Sequence, residues 1–345
     1  MSYPEDIVVR SKGNRTTISD VAKAALTGKT SVSRYLNGEQ HLLSDDLKRR
    51  IENAIRQLNY SPSQMARGLK KGQTRLIGII IADITNPYSV DVLRGVEDAC
   101  QKHGFTLLMC NTNNEVDQER HYLQLFSSYS VEGIVVNAVG MREDAFARLQ
   151  HSSLPMVLID RKIPGLSCDM VGLDNPAATA EATAHLIEQG FEAFLFLSEP
   201  LGLVNTRQER LAAFQQIMRS NPSLVACHND VPLNDRERLD NILHTFCQNH
   251  RGMRKAVISA NGALTLQIAR AMRRLRLNWG NDIGFLGFDD MEWAEVAGIT
   301  TLKQPTYQIG RAALEQLLSR IRGDSGPIVE KTFPGTLVIR SSSAG

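Results

Sequence analysis

The chain has 345 residues, of which 42% are hydrophobic, and its formal net charge at pH 7 is only +2. This length gives room for two or three domains, and the hydrophobic fraction is ample for a large core. No apolar run reaches the roughly 18 residues of a membrane span, and no apolar signal segment follows Met1. We therefore expect neither a membrane-spanning nor an exported protein.

The cysteines and histidines show no pattern of a metal or redox centre. Eight histidines are scattered along the sequence, and the five cysteines follow no metal-ligand spacing. This usage is typical of reduced, mostly buried thiols in a cytoplasmic protein, and we expect no metal and no cofactor. The cysteines are Cys100, Cys110, Cys168, Cys227 and Cys247.

The small net charge hides an uneven distribution. Residues 1–75 contain 14 lysines and arginines against 7 acidic residues, which leaves 25 basic and 30 acidic residues in the rest of the chain. A basic N-terminal part on an acidic body is typical of a protein that meets a polyanion through that part alone. A solvated charged surface is the alternative, and the motifs within the basic part decide between the two.

In chain order, residues 1–15 come first; they are polar, lack periodicity and are expected to form a mobile tail. A first helix is predicted after Thr17, which is a good N-cap residue. A tight turn at 26–28 separates it from a second short helix at 29–36. Two short helices joined by such a turn form a helix-turn-helix, whose second helix enters the major groove of DNA. A third helix follows Ser44, and its buried face consists of Leu47, Ile51, Ala54, Ile55 and Leu58.

The segment Gly28-Lys29-Thr30 could also end a phosphate-binding loop. That motif requires a glycine five residues before Gly28, directly after a strand. The position holds Lys23, which lies inside the first predicted helix. The phosphate-loop interpretation is therefore set aside.

Four short motifs follow one another in this part of the chain. They are D-V-A at 20–22, S-V-S-R-Y-L-N-G at 31–38, L-N-Y-S-P at 58–62 and A-R-G-L at 66–69. Together, in this order, they resemble the headpiece and hinge of the LacI/GalR family of bacterial transcription regulators.

The resemblance implies a DNA-binding headpiece at 16–60 and a hinge helix with its linker at 61–74. In that family the hinge becomes ordered when a dimer sits on its operator, and Leu69 occupies the position of the leucine that wedges into the minor groove. An apolar wedge of this kind kinks the duplex; a plain linker is the alternative. The residues that the resemblance assigns to DNA contact are Thr17, Lys29, Thr30, Ser31, Ser33, Arg34, Asn37, Ala66 and Leu69.

One turn departs from the family pattern. The family has A-G-V-S before the recognition helix, with serine as the cap, whereas this chain has Ala25-Leu26-Thr27-Gly28. Glycine is a weaker N-cap than serine. The angle and register of the recognition helix are therefore left open.

From Arg75 onwards apolar runs alternate with loops and helical segments, which predicts a doubly wound α/β core with parallel sheets. The runs are rich in β-branched residues, as expected of strands covered on both faces. A first series lies at 76–82, 105–110, 133–139 and 155–159, and a second lies at 170–173, 194–197, 255–259 and 282–288.

This layout resembles the two-lobed, periplasmic-binding-protein-like core of LacI/GalR regulators. The resemblance implies a core for effector binding and dimerisation at 75–345. It places the first lobe at about 75–160 and 292–322, and the second lobe at about 161–291 and 323–341.

Parallel sheets bind ligands at the carboxyl ends of their strands, so polar residues just after strands are the candidates for a cleft between the lobes. Carboxylates, arginine forks and aromatic faces suit a sugar, or a carboxylate or phosphate. By resemblance to the family, Arg210 in R-L-A-A-F and Asp289 in G-F-D-D bind the effector. The family's N-D pair is Asn261-Gly262 here, so one polar group is missing. The candidate effector residues are Asp83, Tyr88, Asp160, Arg161, Arg210, Asn261, Asp289 and Trp293.

Several of these residues have a simpler alternative role. Tyr88 and Trp293 could be ordinary packing residues, and Arg161 could form a surface ion pair. Asp290 is expected to hold its loop rather than a ligand. Three arginines near one cleft, at 161, 207 and 210, favour a sugar acid over a neutral sugar.

The sequence thus predicts a transcription regulator, a repressor of a carbohydrate or sugar-acid operon, which acts as a homodimer on a pseudo-palindromic operator. A metabolite bound between the lobes would be coupled to operator binding. A sugar-binding transport protein is the alternative, but it would lack the headpiece. A sugar-metabolising enzyme is a weaker one, because no catalytic motif is present. The metabolite's identity, and whether it acts as inducer or co-repressor, stay open.

Overall fold

The computed structural model describes residues 16–61, 73–137, 154–163, 165–202 and 204–344. The chain divides into two compact units, residues 1–74 and 75–345. Within the described ranges no helix is long and apolar enough to cross a membrane. The predicted tail and most of the predicted hinge, with Ala66 and Leu69, lie outside them.

The described part of the N-terminal unit contains the three predicted helices, α1 Ile18–Ala24, α2 Lys29–Leu36 and α3 Asp45–Gln57. Thr17 and Asp20 form a capping box at the start of α1, and Ser44 caps α3 by accepting from the Leu47 N–H. The inner faces of the helices meet in a small core, as the apolar spacing predicts. This core consists of Val21, Ala22, Ala25, Val32, Leu43, Ile51 and Ala54.

The unusual turn before α2 places Leu26 in the left-handed region, with φ at 49° and a side chain that is 80% exposed. This conformation is uncommon for residues other than glycine. Gly28 is the N-cap of α2 and supplies no side-chain cap. The helix nevertheless begins at Lys29, so the weak cap does not displace its predicted start.

The core unit contains two six-stranded sheets. The first sheet is built from β1 Leu76–Ile81, β2 Thr106–Asn111, β3 Gly133–Val136, β4 Met156–Ile159, β5 Asp169–Leu173 and β11 Glu330–Phe333; the second is built from β6 Ala193–Ser198, β7 Val225–Asp230, β8 Lys255–Ser259, β9 Gly284–Phe288, β10 Thr300–Lys303 and β12 Thr336–Val338. The first sheet has the order β11-β5-β4-β3-β1-β2, and all its neighbouring strands are parallel. The second has the order β12-β10-β9-β8-β6-β7, and only β12 is antiparallel to its neighbour.

Helices alternate with these strands, as expected of a doubly wound fold. The described helices of the core are α4 Pro87–His103, α5 Val116–Ser128, α6 Asn175–Glu188, α7 Asn205–Arg219, α8 Arg236–Asn249, α9 Gly262–Arg274, α10 Glu292–Val296 and α11 Thr306–Ile321. The chain passes between the two sheets after β5, between β10 and α11, and between β11 and β12.

The lobe boundaries expected from the sequence are wrong at three places. β5 pairs with β4 and belongs to the first sheet, not to the second lobe. β10 pairs with β9 in the second sheet, and the residues around α10 pack in the core of that lobe, not on the first. β11 pairs with β5 in the first sheet, although both C-terminal strands are expected in the second lobe. Strands that are covered on both faces are apolar in both sheets. An apolar run therefore predicts a strand, but it does not predict which of the two sheets the strand joins.

The helix α11 runs back onto the first lobe, as predicted, and crosses α4 at very close range. A Cβ added at Gly95 would lie 2.1 Å from the Tyr307 main-chain oxygen, and one added at Gly310 would lie 2.1 Å from the Val92 oxygen. Only glycine fits at both places. The segment that leaves the second sheet is therefore seated firmly on the first lobe.

Candidate functional site

All eight candidate effector residues line one cleft of about 750 Å³ between the lobes of the core. Its walls are formed by the loops that follow β1 and β4 in the first lobe and β6, β8 and β9 in the second. These are carboxyl ends of parallel strands, where doubly wound folds bind ligands. Among the lining residues that the sequence argument did not find are the polar residues Asn137, Glu199 and Gln304.

Arg210 lies in the second-lobe wall of the cleft and is only 5% exposed. Its Nε donates to Asn175 Oδ1 at 2.8 Å, and its Nη1 donates to the Ala260 main-chain oxygen at 2.6 Å. The guanidinium lies 4.2 Å from the centroid of the Phe288 ring. Its Nη2 makes no hydrogen bond with the described residues. The guanidinium is thus fixed in position with one nitrogen left for a ligand.

Asp289 is held from two sides, in a left-handed conformation with φ at 68°. Its Oδ2 accepts from the Gly262 N–H at 2.9 Å, and its Oδ1 accepts from Gln304 Nε2 at 2.6 Å. Gly262 is the first residue of α9, whose dipole favours a carboxylate there. A Cβ at Gly262 would lie 2.7 Å from Asp289 Oδ2. The family has a polar side chain at position 262. In this chain, Gly262 instead leaves room for the Asp289 carboxylate and donates its N–H to it.

Three buried polar atoms on the cleft have no hydrogen-bond partner among the described residues. They are the Tyr88 hydroxyl, Asp160 Oδ1 and Gln304 Oε1. Burial raises the pKa of the Tyr88 hydroxyl well above its usual value, and burial also raises the pKa of Asp160 against the opposing effect of Arg210 and Arg161. Buried polar groups are almost always hydrogen-bonded. Three such atoms around one cleft indicate that a polar ligand completes it.

Asn261 lines the cleft but is engaged by the protein. Its Oδ1 accepts from the Leu264 N–H at 2.9 Å as the cap of α9, and its Nδ2 donates to Glu199 Oε1 at 2.8 Å. Glu199 also forms an ion pair with Arg207, with 2.8 Å between Oε1 and Nη2. The charge of Arg207 is therefore largely matched within the protein, which weakens its part in the three-arginine argument.

The remaining candidates lie at the margins of the cleft. Asp83 Oδ1 accepts from both the N–H and the hydroxyl of Thr85, so this carboxylate also shapes its own turn. Trp293 packs partly against the core of the second lobe. Arg161 lies on the cleft directly after Asp160. Outside the cleft, Asp290 accepts from Arg340 and Thr301 and holds its loop, as predicted.

Six of the seven polar candidates of the headpiece lie on α2 or at its C-cap. Lys29, Thr30, Arg34 and Asn37 are exposed, Ser31 and Ser33 are half-buried, and Val32 is buried beneath them. The side chains of Lys29 and Arg34 form no hydrogen bond or ion pair with the described part of the chain. Thr17 is exposed, but its hydroxyl donates to Asp20 within the capping box.

A helix-turn-helix unit with a basic, exposed second helix, followed by a two-lobed core with a polar cleft, defines a ligand-responsive DNA-binding protein. The family described as "Bacterial regulatory proteins, lacI family" matches residues 17–63, and the family described as "Periplasmic binding protein-like domain" matches residues 183–343. The chain belongs to the lacI family of bacterial regulatory proteins and is a sequence-specific DNA-binding transcription regulator.

Individual relatives match over almost the whole chain. The protein is 44% identical to the HTH-type transcriptional regulator PtxS of Pseudomonas aeruginosa over 338 residues, which cover 97% of this chain and 98% of the relative. It is 38% identical to the HTH-type transcriptional regulator KdgR of Bacillus subtilis, with 95% and 97% covered. The lac repressor dimer bound to operator and the anti-inducer ONPF shares the fold, with a TM-score of 0.81 at 21% identity over 96% of this chain and all of the other. The family resemblance seen in the sequence motifs is confirmed.

Proposed function

We propose that the protein represses a carbohydrate or sugar-acid utilisation operon and is controlled by a small metabolite bound in the cleft. The main support for a ligand is a set of three buried atoms, on Tyr88, Asp160 and Gln304, that have no hydrogen-bond partner in the part of the chain that the structure describes; the fixed guanidinium of Arg210 lies on the same cleft. The two side-chain oxygens can accept from ligand hydroxyls, and the phenol can donate or accept. The free Arg210 nitrogen suits a carboxylate.

The distribution of charge favours a sugar acid over a neutral sugar. The carboxylate of Asp289 is already matched by two N–H donors, and burial disfavours the charged form of Asp160. The guanidinium of Arg210 remains on the cleft, with one nitrogen that bonds no described residue. An anionic ligand would balance its charge, whereas a neutral sugar would not.

The operator is proposed to be a pseudo-palindrome bound by a homodimer, with bases and phosphates contacted from Lys29, Thr30 and Arg34 on the exposed face of α2. The similar lac repressor fold is a dimer on its operator, which supports the same assembly here. The protein would work on chromosomal DNA and hence in the cytoplasm. The proposal includes no catalytic step, because the relatives that match the whole chain are transcription regulators.

A ligand screen followed by an operator assay tests the proposal. The full-length protein is melted with aldonic and uronic acids, with the corresponding neutral sugars as controls; a ligand at a hundred times its Kd stabilises the folded state by about 2.7 kcal/mol. An operator is selected from a random DNA pool, and its affinity is measured with and without the best acid. We expect an acid to raise the melting temperature and to change operator affinity. A neutral sugar that outperforms every acid, or a ligand that leaves operator affinity unchanged, would contradict the proposal.

A further inference from the structure

A chain of hydrogen bonds lies behind the cleft and joins its two walls. The main-chain N–H of Lys162 donates to Asn205 Oδ1 at 2.8 Å, and Asn205 Nδ2 donates to Glu209 Oε1 at 3.0 Å. Asn175 Nδ2 donates to Glu209 Oε2 at 3.0 Å, and Arg210 Nε donates to Asn175 Oδ1 at 2.8 Å. Both carboxylate oxygens of Glu209 and both ends of each amide are thereby engaged.

The orientation of the two amides follows from Glu209. A carboxylate can only accept, so Glu209 turns the NH₂ groups of Asn175 and Asn205 towards itself. Their amide oxygens must then face away, one towards Arg210 and the other towards the Lys162 N–H. Since an arginine can only donate, it requires the oxygen of Asn175 at this place. Glu209 therefore determines the amide orientation on which the Arg210 guanidinium rests.

The chain of bonds spans the hinge between the lobes. Lys162 lies on the first-lobe loop that also carries Asp160, whereas Asn205, Glu209 and Arg210 belong to α7 of the second lobe. Asn175 begins α6, just after the backbone leaves β5 for the second lobe, and is only 2% exposed. A change in the angle between the lobes must therefore either shift Arg210 or break one of these hydrogen bonds.

We propose that Glu209 and Asn175 are positioning residues that couple a ligand on Arg210 to the angle between the lobes. This inference rests on the proposed function of the cleft. Neither residue lines the cleft, so both act through Arg210. A ligand that engages Arg210 favours the lobe angle at which the bonds are intact, and by linkage that lobe angle strengthens ligand binding by the same factor.

Each of these hydrogen bonds has a fixed donor and a fixed acceptor, so exchanging the two by substitution tests the inference. Asn175→Asp removes the donor that faces Glu209 and sets two carboxylates against each other. Glu209→Gln sets an NH₂ group against the NH₂ of Asn175 or of Asn205. In the double variant the new amide at 209 can donate to the new carboxylate at 175, which still accepts from Arg210 Nε, and every donor again meets an acceptor. Glu237→Gln makes the same chemical change at an exposed position of α8 and serves as the control.

Two measurements are made on all variants of the full-length protein. The first is the Kd for the best-binding acid of the aldonic and uronic panel, measured by calorimetry, together with operator affinity with and without that acid. We expect each single variant to bind the acid roughly tenfold or more weakly, the loss typical of one hydrogen bond to a charged group. The double variant should regain most of this loss, and the change in operator affinity on adding the acid should shrink in each single variant and return in the double variant.

The second measurement is hydrogen exchange at the Lys162 amide, which needs no ligand. Exchange should quicken in both single variants, return towards the wild-type rate in the double variant, and stay unchanged in the Glu237→Gln control. Single-variant losses that simply add in the double variant, or unchanged exchange at Lys162, would overturn the inference. If wild-type protein binds none of the acids, the proposed ligand class fails, and the exchange pattern still decides whether the bonds act as one unit.

Discussion

The two hydrogen bonds that Asp289 accepts, from Gly262 and Gln304, can be tested by comparing two substitutions. Asp289→Ala removes both acceptors and leaves the Gly262 N–H and the Gln304 amide buried without a partner. Each orphaned group costs about 1–3 kcal/mol, so the free energy of unfolding should fall by roughly 2–6 kcal/mol.

Asp289→Asn should be much milder. The new amide oxygen can still accept from the Gly262 N–H, and its NH₂ can donate to Gln304 Oε1 once the Gln304 amide turns over. That oxygen has no partner among the described residues, so the turn breaks no bond other than the one to residue 289. We expect a loss of about 1–2 kcal/mol, the difference between charged and neutral hydrogen bonds.

Urea unfolding followed by tryptophan fluorescence measures both variants, because both tryptophans of the chain pack against the second-lobe core. Calorimetric titration with the best-binding acid gives the effect on the ligand, and both variants should bind it more weakly. Equal decreases in the free energy of unfolding in the two variants would refute the claim that hydrogen bonds from Gly262 and Gln304 fix Asp289. Unchanged ligand binding in both would remove Asp289 from the ligand site.

Three further predictions concern other parts of the chain. Lys29→Ala and Arg34→Ala should weaken operator binding in gel-shift assays without changing the unfolding of the core; a salt slope lower by about one unit would mark a phosphate contact, and wild-type affinity in both variants would refute the recognition-helix assignment. Leu69→Ala, outside the described residues, should reduce operator bending while non-specific binding stays the same; equal bending in a circular-permutation gel assay would reject the wedge. Asp160→Asn should stabilise the protein at pH 7. Burial raises the pKa of Asp160 in the folded state, so folding favours its protonated form. The stability that this form contributes is lost as the pH rises from the usual carboxyl range through the raised pKa, and an asparagine does not lose it. Urea unfolding across that pH range checks the sign, and a variant that follows the wild-type pH dependence would contradict it.

The headpiece could be predicted from the sequence almost completely because its determinants are local. The cap at Thr17, the apolar spacing of α1 to α3 and the turn lie within a few residues of the elements they define. The left-handed Leu26 could not be foreseen in this way, because a leucine carries no signal for positive φ.

The core could be predicted only in part because its determinants are distant in sequence. Eight of the twelve described strands followed from apolar runs, and the cleft side of the sheets followed from the parallel topology, which is why the eight candidates meet at one cleft. The pairing of β5 with β11 joins segments more than 150 residues apart, and no local pattern encodes it. Gln304 escaped notice because the segment that carries it, directly after β10, was expected on the first lobe. The steric role of Gly262 depends on Asp289, which approaches only in the folded chain.

The order of the strands in the two sheets determines when each part of the protein can complete its fold during synthesis. The headpiece core and the partly buried residues packed against it lie within residues 18–60, so these contacts can form early in synthesis. The first sheet lacks its edge strand until residues 330–333 are made, and the second lacks its antiparallel strand until 336–338. Late and distant pairings of this kind fold slowly. A nascent chain therefore carries a complete headpiece long before it can sense a metabolite, and a stop before residue 330 should release a headpiece on an unfinished core that no ligand can switch.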